Sequence, residues 1–223
     1  MLSIRKLRVQ PERDNKILCG INALVAIAMI QAGRYLGKPY YEEKASKITH
    51  HLIDLFWDGK TLGHSFYDGV IQKQNFLFDA AAMLAVISML YENDGSWETM
   101  MNAMLVYVEP FKDSEKWIES KSEDFKTVYA SWFDNPIPSS IGLAEMGLTR
   151  AAILTGKVTE SKQYKQPLHS DFFNISTLIS NGLFHIITTG SIIPWIKLPP
   201  NTLQKRGDSK TDCYRGTCRF LHS

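Results

Sequence analysis

The sequence predicts an all-α fold, a partial α/α toroid of stacked helical hairpins with one or two short strands near the C-terminus. Three observations carry this. Helical periodicity runs through residues 16–182. Within it, helices apolar round most of their circumference alternate with helices apolar on one side only. Beyond it, the composition turns β-branched and aromatic. A helix that is hydrophobic all round must be covered on all sides, whereas a one-sided helix covers something else. Alternation of the two kinds therefore describes inner helices ringed by outer ones. A plain helical bundle is the competing arrangement.

Each element has its own signal. ILCGINALVAIAMIQAGRYLG is the first inner helix, and Gly37-Lys38-Pro39 stops it. PYYEEKASKITHHLIDLFW follows as an outer helix, with Ala45, Ile48, Leu52, Leu55 and Phe56 on one stripe and charge opposite. NFLFDAAAMLAVISMLYEN is the second inner helix, broken at Asp94-Gly95. SWETMMNAMLVYVEPF is its outer partner, with Ser96 as the expected N-cap. IPSSIGLAEMGLTRAAILTG is the third inner helix, and 170–179 reads as a shorter partner. LFHIITTG is a strand and IIPWIKLPP is extended. The domain is expected to span 1–197, followed by a polar, loosely ordered tail at 198–223.

Bulk properties exclude several classes. With 25 basic and 23 acidic residues in 223, the net charge of +2 gives no footprint for nucleic acid or an anionic membrane. The apolar run 17–33 is 17 residues long, short of the roughly 20 that a spanning helix needs, and it contains Asn22 and Gln31. The run 172–196 is interrupted by Asn, Ser, Thr, Gly and Pro. Neither is expected to span a membrane, and no secretory signal is visible, so a cytoplasmic location is expected. Cys213, Cys218 and His222 fall one ligand short of a zinc set, so neither metal nor cofactor is expected. No phosphate-cradling glycine loop, GxSxG elbow, HExxH or dinucleotide fingerprint occurs.

Three acids take the same relative place: Asp14, Asp79 and Asp134 each precede or open an inner helix. If the inner helices run parallel, their starts share one mouth, and the carboxylates gather near positive helix ends. Glycosidic cleavage uses such acids in pairs, one as proton donor and one as base or nucleophile. Asp79 and Asp134 are the candidate catalytic residues. Capping alone explains an acid before a helix, but Asp79 sits between FLF and AAAMLAV, and a buried carboxylate needs a partner. Candidate substrate-binding residues are Asp14, Asn22, His64, Asp68 and Ser139. Asn22 lies in an apolar helix, where an inter-helix hydrogen bond is the plainer role. His64 and Asp68 lie in TLGHSFYDGV, a glycine-flanked loop ahead of the second inner helix.

The order PERDNKILCGINAL, GHSFYDGVIQKQNFLFDAAAML, FDNPIPSSIGLA and then a cysteine pair resembles the later part of the spermatogenesis-associated, thioredoxin-like family. The likeness runs from Pro11 to Cys218, and Asp14, Lys16, Asn22, Asp79, Asp134, Pro138 and Ser139 match. It implies a six-hairpin toroid related to glycosidases and sugar 2-epimerases, and an association with sugars, but no reaction. The family's thioredoxin-like domain and the first half of its toroid are not in this sequence. Ile21, Ala80 and Ser140-Ile141 stand where members carry tryptophan, tyrosine and glycine-asparagine. Two functions follow as expectations. One is a non-catalytic or vestigial half-toroid that binds a carbohydrate, another copy of itself, or a partner chain completing the ring. The other is a carbohydrate-active enzyme with its acids at the inner-helix mouth.

Overall fold

A computed structural model describes residues 2–9, 13–114, 116–120, 126–155, 184–188 and 202–206. After a short helix α1 (Leu2–Lys6) come α2 (Cys19–Leu36), α3 (Pro39–Phe56), α4 (Leu77–Tyr91), α5 (Glu98–Val108) and α6 (Ser140–Leu154). The arrangement is a partial helical toroid, with α2, α4 and α6 inside and α3 and α5 outside.

The direction of the helices is read from their ends. Gly20 of α2 meets Asp79 of α4 at one end, and Arg34 of α2 meets Met89 at the other. In α6, Gly147 lies against Leu84 and Arg150 against Ser88. The three inner helices therefore run parallel, and their N-termini point to one side. The outer helices return antiparallel. His50 packs on Trp97 at 4.3 Å and Trp57 on Tyr107 at 5.4 Å, so α3 and α5 are parallel to each other.

Burial follows the hydrophobic pattern. Every residue of α4 except Phe78 is buried, which satisfies a helix with no polar side. α3 buries Ala45, Thr49, Leu52 and Phe56 and exposes its charged face. α2 is long and apolar enough to cross a membrane by length and composition. Here it lies in the inner layer, and the arginine of its last turn is buried between helices. Ile21, Val25, Ala28 and Tyr35 stay exposed along one flank of α2.

The ends are built locally. Gly37, left-handed at φ 63°, closes α2, and Pro39 opens α3 at a position where no amide is needed. Ser139 caps α6 by accepting from the Gly142 amide at 3.0 Å. Ser96 is not the N-cap expected ahead of α5. Asp94 accepts from the Ser96 amide at 2.9 Å and caps a 3₁₀ turn, Gly95–Trp97, that leads into the helix.

Short strands break the helical pattern more often than expected. β1 (Ile17–Leu18), β2 (Ser65–Tyr67) and β3 (Val70–Gln72) form an antiparallel sheet beside the start of α2. Asp68 and Gly69, both at positive φ, make the two-residue β2–β3 turn, the geometry an Asp-Gly pair favours. β4 (Lys112–Asp113), β5 (Lys116–Ser120) and β6 (Val128–Tyr129) form a second sheet. β7 (Phe184–Thr188) is the expected C-terminal strand. Its partner β8 (Thr202–Arg206) pairs with it in parallel and lies within the 198–223 segment. The extended stretch at 192–200, the helix expected at 170–179 and the Cys213, Cys218 and His222 tail lie outside the described residues.

Candidate functional site: the inner-helix mouth

The N-terminal ends of α2 and α4 meet at Asp79. Its side chain is only 3% exposed and both oxygens are engaged. Oδ1 accepts from the Gly20 amide at 2.8 Å, and Oδ2 takes His64 Nδ1 at 2.7 Å. Asp79 sits in the first turn of its own helix and satisfies an orphan amide in the first turn of another. Two positive helix ends thus share one carboxylate. Gly20 makes the approach possible, since a Cβ there would lie 2.6 Å from the Phe78 ring and 2.8 Å from Asp79 Oδ1.

The adjacent sheet places His64. The His64 amide donates to Gln72 O at 2.8 Å, and its carbonyl accepts from the Cys19 amide at 2.9 Å. This pins the residue between β3 and the first residue of α2. The ring packs on Phe76 at 4.6 Å and keeps 28% of its side chain exposed. The hydrogen bond to Asp79 raises the His64 pKa above its ordinary value, against the opposing effect of burial. His64 is therefore the accessible member of the pair, and Asp79 the buried one. Burial, reinforced by the Asp79 charge, pushes the Cys19 thiol well up, so it stays protonated and unreactive.

The remaining predicted residues do other work. Asn22 is half-buried and donates from Nδ2 to Leu18 O at 2.8 Å, one turn back in its own chain. That replaces the inter-helix bond expected of it. Asp14 is exposed and pairs with Lys16 at 3.4 Å. Asp134 accepts from the Ser139 amide at 2.7 Å, and Ser139 in turn caps α6. Asp68 is exposed at the hairpin turn. The parallel helices put the three aspartates on one side of the ring. Only Asp79 bonds across to another inner helix in these contacts, whereas the Asp14–Lys16 and Asp134–Ser139 bonds are local.

Sequence reasoning missed two carboxylates. Glu119 on β5 accepts from the Phe78 amide at 3.3 Å and so caps α4, which has no side-chain cap from its own N-cap residue. Glu145 on α6 is buried and accepts from Trp117 Nε1 and Lys112 Nζ at 3.3 and 3.4 Å. Neither position shows a spacing signal, because a loop sheet makes both contacts across the chain. Among the described residues, no cluster of three or more His, Cys, Asp or Glu side chains could hold a metal ion.

No family model matches the chain, and no curated protein matches it. The solved structures similar to the chain include two carbohydrate-active proteins. One is a sugar epimerase from a ruminal bacterium, at 13% identity and a TM-score of 0.48, with 67% of this chain and 40% of that chain covered. The other is a novel alpha-amylase from Clostridium perfringens, at 14% identity and a TM-score of 0.50, with coverages of 78% and 48%. The chain spans less than half the length of either. At 14% identity the likeness to the second is one of fold alone.

Proposed function

We propose that this chain is a non-catalytic half-toroid, a binding and interaction module built on the frame of carbohydrate-active toroids. The resemblance to the toroid part of the spermatogenesis-associated, thioredoxin-like family belongs to the same reading. The observation that carries it is Asp79. A carboxylate with one oxygen on a helix amide and the other on a histidine is committed to the fold rather than aimed at substrate. General acid or base work needs a group within hydrogen-bond reach of the reacting atom. Asp134 and Ser139 are engaged in building the start of α6, and Asp14 in a surface pair.

The exposed flank of α2 gives the module its partner surface. Ile21, Val25, Ala28 and Tyr35 repeat at helical spacing on an inner-layer helix, where the next hairpin of a ring would pack. A second copy or a partner chain seated there completes the inner layer. Sedimentation velocity tests this. The chain is expected to associate, and Val25→Glu to abolish the association. A monomer at every concentration, combined with sugar turnover lost in His64→Gln, would overturn the proposal.

That last outcome belongs to the second reading, a carbohydrate-active enzyme, and one observation favours it. His64 is partly exposed and its protonated form is favoured by a buried aspartate, which is how a proton donor is prepared.

A further inference from the structure

We infer that a separate binding site lies on the outside of the ring, between α5 and the loop that follows α3, and that it takes a pyranose ring bearing an acidic group. A cavity of about 650 Å³ opens there, lined by Trp57, Lys60, Asn75, Asn102, Tyr107 and Phe111 among others. Its size falls within the roughly 300–1,000 Å³ of small-ligand sites. It shares no residue with the Asp79–His64 pair.

The wall is aromatic and fixed. Trp57 and Tyr107 meet edge to face at 5.4 Å and 78°, and Tyr107 meets Phe111 at 5.9 Å and 73°. Burial raises the Tyr107 phenol pKa, so the hydroxyl remains a donor, and it donates to Asn75 Oδ1 at 2.9 Å. That bond leaves Nδ2 of Asn75 turned to other partners.

The polar groups on this wall are mostly donors without acceptors. Among the described residues, nothing accepts from Trp57 Nε1, Asn75 Nδ2 or the Asn102 side-chain amide. Among the same residues the exposed Lys60 forms no ion pair; Asp58 beside it accepts from the Lys60 and Thr61 amides and pairs with Lys73. Among the described residues no carboxylate lines the cavity. A matching ligand therefore has an apolar face for the rings, several acceptor oxygens, and a negative charge for Lys60. The C–H face, hydroxyls and carboxylate of a sugar acid supply all three. A purely apolar side chain would cover the part-buried Trp57 and Asn75 donors without matching them.

The test uses glucuronate, glucose and isopropanol as probes against 15N-labelled protein. The indole N–H signals of its five tryptophans are followed, with that of Trp57 assigned by its loss in Trp57→Phe. The Trp57 signal should move saturably with glucuronate and more weakly with glucose. Lys60→Gln and Asn102→Ala change exposed residues and leave folding intact. Each should weaken glucuronate binding, Lys60→Gln by about tenfold, the value of one charge-assisted bond. No saturable shift with either sugar overturns the inference. So does a shift matched by isopropanol, or a glucuronate response that Lys60→Gln leaves unchanged.

Discussion

The two ends of the inner helices handle buried charge in opposite ways. At the base, where α2, α4 and α6 finish, Arg34 and Arg150 both pair with Glu92. Arg34 also reaches Glu42 at 3.4 Å and the Met89 carbonyl at 2.6 Å, and Arg150 reaches Ser88 Oγ at 3.2 Å. The Arg34 and Glu92 side chains have no exposure and Arg150 only 5%. Burial lowers both guanidinium pKa values, and the charge of Arg34 lowers that of Arg150 further. Two cations are balanced by two carboxylates and placed where helix carbonyls favour positive charge. At the mouth, one carboxylate serves two helix starts and a histidine that still touches solvent. The base is sealed and locks the ring. The mouth keeps an open edge at His64, whose side chain is 28% exposed, as a binding surface requires.

This contrast breaks in a definite order. Glu92→Gln should have the largest effect, because it leaves two buried cations with only Glu42 between them. A loss of about 3–5 kcal/mol, or outright unfolding, is expected in urea denaturation. Gly20→Ala should cost less, about 1–2 kcal/mol, as the new methyl presses on Phe78 and the Asp79 carboxylate. Val25→Glu should leave stability of the isolated chain within about 0.5 kcal/mol, since the position is exposed, while removing association. If Val25→Glu unfolds the chain instead, that flank is core rather than interface.

How much of the structure is legible in the sequence depends on the range of each interaction. The helices and their inner or outer character are written in periodicity, and α4 is buried as FLFDAAAMLAVISMLY implies. The need for a partner at Asp79 is legible too, because its neighbours are apolar on both sides. The partner is not, since His64 reaches it through a sheet that helical periodicity does not report. SFYDGVIQ carries the signal for that sheet in its Asp-Gly turn, although as a stretch it passes for a loop. Glu92 and Arg150 look like ordinary surface charges, because nothing local marks a residue for burial against a distant partner. The Arg34–Glu92 bond spans 58 residues and the Arg150–Ser88 bond 62. Asn22 misleads for the opposite reason: its bond is local, four residues back.

Whether Asp79 is a clasp or a catalyst is tested most directly by the pH dependence of Asp79→Asn. The folded His64 pKa lies above its unfolded value, so the stability this pair contributes is fully present below the ordinary histidine pKa of about 6.5. It is lost as pH rises through the folded pKa. Wild type should therefore exceed Asp79→Asn by about 1–3 kcal/mol below that pH, the value of a hydrogen bond to a charged group, and by less at alkaline pH. The His64 midpoint, followed by NMR, should lie above about 6.5 in wild type and fall in the variant. Equal stabilities at every pH, with an unmoved His64 midpoint, would contradict the clasp and return Asp79 to the acids available for chemistry.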